Sequence, residues 1–192
     1  INCISIGNKG HLGLVTHRSF YNNHFSPNIM NTLVKNHIVR YSEADRNGLL
    51  KLRALFDYFQ DIAGEHASLL NLSMEQLHEQ NKAWMLSRIK LKINRLPAIK
   101  EKFELHTYPR GFERFFARRE FRIYDENRHL LVAASSLWLY VELSDLSILN
   151  AKKHLTNHMP DNSALDCAFE ELNKINPDSK ELFQKYHIGE SR

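Results

Sequence analysis

The chain has 192 residues, of which 43% are hydrophobic and 10% aromatic, so it can bury the core of one ordinary domain. Its 26 basic and 22 acidic residues give a formal charge of +4, which excludes a disordered charged tail and does not by itself indicate a nucleic-acid partner. Two cysteines cannot build a disulfide framework, and no run approaches the roughly 18 to 20 apolar residues that span a bilayer. These features predict a cytoplasmic protein without membrane insertion.

The first part of the chain carries no sustained hydrophobic period. Residues 1–29 are rich in Asn, His, Gly and Ser, and the first methionine is Met30. We expect Met30 to be the natural start, and we predict that residues 1–33 are a poorly ordered N-terminal extension.

A polar elbow, Ser42 to Gly48, separates a short predicted strand, His37 to Tyr41, from a long amphipathic helix. Apolar residues recur at helical spacing over about five turns, which predicts a helix buried against a larger element. They are Leu49, Leu52, Leu55, Phe56, Phe59, Ile62, Ala63, His66 and Leu69. Farther along, Ser73 and Gln76 have the spacing of a capping box for a short second helix.

Four strands are predicted next, because the hydrophobic period changes to two residues. They are "KAWMLSRIKLKIN", "EKFELHTY", "ERFFARREFRIY" and "LLVAASSLWLYVEL". In the first of these strands, simple alternation predicts an apolar face made of Met85, Ser87, Ile89, Leu91 and Ile93. Short turns between strands favour antiparallel pairing. The order predicts an α+β hot-dog fold over residues 34–150, with an antiparallel sheet wrapped around one long central helix.

The remaining residues, 151–192, are predicted to be a linker with two short helices. The first helix is predicted from an apolar stripe of Leu165, Ala168, Phe169, Leu172 and Ile175. The second helix is predicted from Asp178 and Glu181, which have capping-box spacing.

Two places in the sequence offer catalytic candidates. Asp45 and Asn47 precede the predicted helix, where backbone N–H groups can hold a carbonyl oxygen, although helix capping and a turn with Gly48 explain them equally well. Glu65 and His66 can serve as a base and its orienting group, but a lone helical carboxylate is usually a surface residue. Eleven histidines occur without a metal-binding spacing, so no metal and no cofactor is predicted.

Arginines crowd the third and fourth predicted strands. Such a cluster attracts an acidic carrier protein that bears phosphopantetheine. The alternative is a solvated strand face, on which Arg118, Glu120 and Arg122 point outward. The cluster consists of Arg110, Arg114, Arg118, Arg119, Arg122 and Arg128.

Four blocks in order resemble the N-terminal half of the acyl-ACP thioesterases, bacterial members more than plant ones. They are "VRYSEADRNGLLKLRALFDYFQDIAGEHA", "AWMLSRIKLKINRLP", "FELHTYPRGFERFFARREFRIYDE" and "AASSLWLYVEL", which cover about residues 34–150. The resemblance implies two hot-dog domains that hydrolyse fatty acyl-ACP to free fatty acid in fatty acid biosynthesis. In that family the first domain shapes the acyl pocket, and the second carries a catalytic Asp-x-Asn-x-His run.

The sequence departs from that pattern in its catalytic part. It ends at "KYHIGESR", about where the second domain begins, so no catalytic residue is expected within the chain and the chain alone is expected to be inactive. Asp45, Asn47 and Glu65 are the fallback candidates. Matching Asp45 and Asn47 to the family's run puts Leu49 where the histidine stands, and a leucine cannot accept a proton.

The resemblance also assigns binding roles. Arg110, Arg114 and Arg118 are predicted to dock the carrier protein. The wall of the acyl pocket is predicted to comprise Leu52, Phe56, Phe59 and Trp84, although ordinary core packing explains the helical ones equally well.

Two other functions stay open. A single hot-dog acyl-CoA thioesterase would use Asp45 or Glu65 in a homodimer, and a non-catalytic module would bind acyl groups without turnover. A homodimer is also expected because an isolated hot-dog sheet has an unpaired edge.

Overall fold

The computed structural model describes residues 31–173, which form one sheet and three helices. The strands are β1 (Leu33–Ile38), β2 (Lys82–Ile93), β3 (Lys102–Glu113), β4 (Phe116–Asp125), β5 (Leu130–Glu142) and β6 (Ile148–Leu149). The helices are α1 (Leu52–Leu69), α2 (Met74–His78) and α3 (Ala151–Leu155), and a 3₁₀ turn covers Tyr41–Glu43. None of these helices is long and apolar enough to cross a membrane. The prediction of a poorly ordered extension lies outside the described residues up to residue 30, and β1 already begins at Leu33; the predicted last linker helix also lies outside the described residues.

The sheet is antiparallel, in the order β1-β3-β4-β5-β2, and β6 pairs with the end of β5. The four predicted long strands are therefore confirmed. The first strand ends at Ile38 rather than at Tyr41, because Tyr41 begins the 3₁₀ turn. Strands β1 and β2 are the two edges.

Helix α1 lies against the concave face of the sheet and supplies one side of the core. Leu55, Phe59 and Ile62 are buried, and the ring of Phe59 stacks on that of Phe121 with the centroids 4.5 Å apart. The sheet side includes Phe103, Leu105, Ile123, Val132 and Ala134. Each of the larger side chains contributes about 1.5–3 kcal/mol through burial. The apolar stripe thus holds the helix inside the sheet, and the predicted α+β hot-dog fold is confirmed.

The short helix α2 begins at the predicted capping box. The Ser73 hydroxyl accepts a hydrogen bond from the backbone N–H of Gln76 at 3.3 Å, and the Gln76 side chain accepts one from the Ser73 N–H at 2.9 Å. Both bonds satisfy backbone donors that a helix start leaves without intrahelical acceptors.

A bulge at Ser87 reverses the alternation of side chains along β2. Leu86 and Arg88 pair with consecutive residues of β5, so Ser87 falls outside the register. Because opposite residues of an antiparallel pair share a face, Trp84 and Leu86 lie on the concave face. The prediction that Met85 and Ser87 belong to the apolar face is wrong, and Met85 is 46% exposed.

The described end of the linker, residues 160–172, crosses the convex face of the sheet and is called the strap. Side chains of β2, β3 and β4 hold its backbone: those of Arg88, Tyr108, Arg110 and Arg118 donate to strap carbonyls. The predicted helix from Leu165 onward is wrong over residues 165–173, which have no helical structure. The reason is that side chains of the sheet bond the carbonyls that a helix would pair with its own amides.

A buried charge cluster lies beneath the strap. Glu120 is fully buried, and its carboxylate accepts hydrogen bonds from Arg118 Nε at 2.9 Å, Arg122 Nη1 at 3.2 Å, Ser135 Oγ at 2.6 Å and the backbone N–H of Ala168 at 2.9 Å. Arg118 and Arg122 are each 5% exposed. The prediction that these three charged side chains point into solvent is therefore wrong, because the strap covers them.

Candidate functional site

A cavity of about 350 Å³ lies between the C-terminal half of α1 and the concave face of the sheet. Such a volume is typical of sites for small molecules, which run from about 300 to 1,000 Å³. Its helix side is lined by Gln60, Ala63, Gly64, Ala67 and Leu70, and its sheet side by Trp84, Pro109, Ala117, Arg119 and Trp138.

The lining is mainly apolar and contains both tryptophans of the chain, Trp84 and Trp138. Its ionisable side chains are those of His78, Lys82 and Arg119, since the guanidinium of Arg118, a further lining residue, lies on the opposite face of the sheet, and no carboxylate of residues 31–173 lines the cavity. Within the same residues, no three His, Cys, Asp or Glu side chains are grouped so that they could hold a metal ion. The cavity is therefore suited to an aliphatic ligand with a polar or anionic group, and among the residue types that serve as general bases its lining offers His78 and Lys82 but no carboxylate.

Only one of the four residues predicted to form the acyl wall, Trp84, lines this cavity. Phe59 is in the core, Phe56 packs against the same core, and Leu52 is 45% exposed. The structure does not place these three in the cavity lining: large side chains fill the space that Phe56 and Phe59 face, and Leu52 lies at the exposed start of α1. Space remains where α1 carries small residues. The sequence feature that indicates this space is the spacing of the small residues Ala63, Gly64 and Ala67, which puts them on one side of the helix.

Arg119 places a buried positive charge on this cavity. Its side chain is 9% exposed, and its Nη1 group donates to His66 Nδ1 and to Thr107 Oγ1, both at 3.2 Å. Because a guanidinium only donates, Nδ1 of His66 accepts the bond and the imidazole is neutral. Burial lowers the pKa of Arg119 to about 10, which leaves it charged at neutral pH. His66, predicted as a partner of Glu65, thus orients Arg119, which the sequence indicates only as a member of the arginine cluster.

Asp45 and Asn47 belong to a turn and do not line the cavity. Asp45 Oδ1 accepts hydrogen bonds from the backbone N–H groups of Asn47 at 2.8 Å and Leu49 at 3.0 Å, and Gly48 has a φ of +76°. The bond from the Leu49 N–H is the main cause that lowers the pKa of Asp45 below its ordinary value. The turn hypothesis is confirmed. The helix-capping hypothesis is wrong, because α1 has Lys51 as its N-cap residue.

Glu65 is a surface residue of α1 and does not line the cavity. Its carboxylate forms an ion pair with Lys35 of β1, and half of its side chain is exposed. Glu65 and His66 point to different sides of the helix, since His66 is fully buried. The pair therefore does not act as a base with its orienting group.

The three arginines predicted to dock a carrier protein do not form one exposed patch. Arg114 is exposed in the turn between β3 and β4. Arg110 is partly buried and its Nε donates to the carbonyl of Leu165 at 3.2 Å. Arg118 is buried and bonds the carbonyls of Phe169 and Glu170, so its assignment to a docking surface is wrong.

Comparison with protein families gives one match. The family model described as acyl-ACP thioesterase N-terminal domain matches residues 31–158, which is more than half of the chain. A comparison with curated proteins gives no significant match.

Solved structures share the fold at low sequence identity. An acyl-ACP thioesterase of Bacteroides thetaiotaomicron is 24% identical, with a TM-score of 0.68, over 77% of this chain and 60% of that one. An oleoyl thioesterase, described as putative, of Lactobacillus plantarum is 21% identical, with a TM-score of 0.64, over 80% and 58%. A DHNA-CoA thioesterase of Staphylococcus aureus is 14% identical, with a TM-score of 0.58, over 66% and 85%. The chain thus spans about three fifths of the first two proteins.

Proposed function

The chain belongs to the acyl-ACP thioesterase family, whose N-terminal domain it contains, and on that premise we propose that its cavity binds the acyl chain of a fatty acyl-ACP. The whole protein is then a cytoplasmic hydrolase that releases free fatty acid in fatty acid biosynthesis. The observation that carries the proposal is the apolar cavity of about 350 Å³ between helix and sheet, within the domain that matches the family.

The chemistry of the lining supports acyl binding. Each methylene moved from water to an apolar lining contributes about 0.8 kcal/mol. A chain of eight or more methylenes therefore gains roughly 6 kcal/mol or more, which offsets a large part of the cost of association. The small residues Ala63, Gly64 and Ala67 leave the space that such a chain occupies.

Hydrolysis needs a group that activates water, and the lining, which contains His78, provides no carboxylate that could serve as that group or orient the histidine. Asp45, Asn47 and Glu65 all lie outside the cavity lining. We therefore propose that this domain holds the acyl chain, while the residues that activate water lie outside residues 31–173.

An acidic carrier protein is proposed to approach the end of the sheet where the cavity lies. The β3–β4 turn and the start of β2 meet at this end, because Phe116 and Met85 both pair with Leu139. Arg114 is exposed in that turn. Lys82, the first residue of β2, lines the cavity. These two cations attract an acidic partner.

Replacing Gly64 with phenylalanine is expected to weaken binding of decanoyl-ACP about tenfold or more. The new ring occupies cavity space, and preventing the burial of even two methylenes corresponds to about tenfold in affinity. Folding is expected to persist, since a Cβ at Gly64 meets nothing within 4 Å and glycine in a helix is less favourable than other residues. Tryptophan fluorescence measures the binding, because both tryptophans of the chain line the cavity.

Asp57→Phe is the matched control, because Asp57 is exposed on the same helix and is not part of the lining. It is expected to leave the affinity unchanged. Equal affinities of the wild type and a folded Gly64→Phe variant would contradict the proposal.

A homodimer is proposed to form through β2. This strand bonds only to β5, so its other edge has no strand partner within residues 31–173, and Met85 is exposed beside it. Sedimentation velocity is expected to show a dimer for the wild type and a monomer for Met85→Lys, since an edge lysine opposes strand addition. Leu146→Lys, at an exposed position in the turn between β5 and β6 and not on the edge strand itself, is expected to stay dimeric. A monomeric wild type would contradict this proposal.

A further inference from the structure

The three neighbouring arginines of β4 differ in how their charge is compensated. Arg118 and Arg122 pair with Glu120 on the convex face, at 2.9 and 3.2 Å. Arg119 faces the opposite side, and no carboxylate of residues 31–173 lies within 4 Å of its guanidinium. Its two hydrogen-bond acceptors, His66 and Thr107, are neutral groups. A buried cation without a counter-charge is costly, and an anionic ligand would compensate it.

Arg119 also has donors that the protein does not use. Its Nη1 group makes both hydrogen bonds, whereas Nε and Nη2 have no acceptor among the residues that the structure describes. Nε and Nη2 of Arg119 keep some accessible surface. Among residues 31–173, the side-chain nitrogen and oxygen atoms that are both completely buried and without a hydrogen-bond partner are His37 Nε2 and Arg122 Nη2, and neither belongs to Arg119. The cavity that Arg119 lines is therefore where its Nε and Nη2 groups can meet a ligand.

We propose that the cavity binds a free fatty acid, with its carboxylate paired to Nε and Nη2 of Arg119 and its chain along the apolar lining. Nε and Nη2 form one side of the planar guanidinium, which suits the two oxygens of a carboxylate. The hydrogen bonds to His66 and Thr107 fix the orientation of the group before the ligand arrives. The proposal rests on the proposed acyl-binding role of the cavity. It adds that the fatty acid released by thioester hydrolysis is bound through its carboxylate by Arg119.

The test compares two probes that differ only in their head group, ω-bromoundecanoic acid and ω-bromoundecanol. The bromine atom quenches tryptophan fluorescence, and both tryptophans of the 192-residue chain line the cavity. At neutral pH the wild type is expected to bind the acid at least about tenfold more tightly than the alcohol, the size of a hydrogen bond to a charged group. This comparison needs no variant, so it remains decisive even if substitutions at Arg119 prevent folding.

Variants assign the preference to one residue. Arg119→Met is expected to abolish the difference between the two probes, and Arg119→Lys to retain part of it, because lysine keeps the charge but not the planar pair of donors. Arg53→Met, at an exposed position of α1 outside the lining, is expected to keep the full difference. A folded Arg119→Met protein that still prefers the acid would overturn the role of Arg119.

The outcomes separate this inference from the proposed function. Equal binding of acid and alcohol would overturn the carboxylate site and leave the acyl-binding cavity standing. Quenching by neither probe would overturn both.

Discussion

Replacing Glu120 with glutamine is expected to lower the free energy of unfolding by about 3–5 kcal/mol, the usual cost of removing one partner from a buried ion pair. The substitution keeps the shape of the side chain but removes its charge. Arg118 and Arg122, each 5% exposed, then lose their buried counter-charge. Urea denaturation measures the change. Because the free energy of unfolding of such domains is about 5–15 kcal/mol, the substitution is expected to remove a large part of it.

The same variant is expected to loosen the strap, because the Ala168 N–H donates to the Glu120 carboxylate at 2.9 Å. Hydrogen exchange at Ala168 is expected to become faster relative to the core strands. Glu126→Gln is the control, since its ion pair with Lys102 joins side chains that are 67% and 66% exposed, and its loss is expected to cost less than about 1 kcal/mol. Equal effects of the two substitutions would contradict the structural role of Glu120.

Replacing Phe59 with alanine is expected to lower the free energy of unfolding by about 3–5 kcal/mol. The ring is 3% exposed and stacks on Phe121, so its loss leaves a void between α1 and the sheet. Urea denaturation with constant slope across variants checks the value. The expected loss is one of stability rather than of ligand contact, because Phe59 does not line the cavity.

Leu52→Ala is the matched control on the same helix, because Leu52 is 45% exposed, and it is expected to change stability by less than about 1 kcal/mol. Both residues are in the acyl wall that the sequence predicts, so the two variants distinguish a residue of the core from a residue of the pocket. A stable Phe59→Ala protein with weakened decanoyl-ACP binding would restore Phe59 to the pocket.

Features that depend on local periodicity could be predicted from the sequence. The apolar stripe of α1, the alternation within β3, β4 and β5 and the capping box at Ser73 and Gln76 all lie in short segments. Their order was sufficient to predict the hot-dog fold, and the blocks "VRYSEADRNGLLKLRALFDYFQDIAGEHA" and "AWMLSRIKLKINRLP" pointed to the family that the match over residues 31–158 then established.

The candidate site depended on contacts between distant segments. A single bulge at Ser87 brings Trp84 onto the concave face, which strict alternation does not anticipate. The cavity exists because Ala63, Gly64 and Ala67 of α1 face the sheet where no larger side chain fills the space. Burial of a residue is set by what packs on it, and periodicity within one strand does not contain that information.

The arginines of β4 show this most directly. Alternation correctly separates Arg118 from Arg119 onto opposite faces of one strand, and from the sequence either face could be the solvated one. In the folded chain the strap covers Arg118, while α1 covers Arg119. Residue types and local spacing determined the helix, the strands and the family. Only the tertiary structure decided which charges are buried and where the cavity lies, because both depend on which distant segment packs against each face of the sheet.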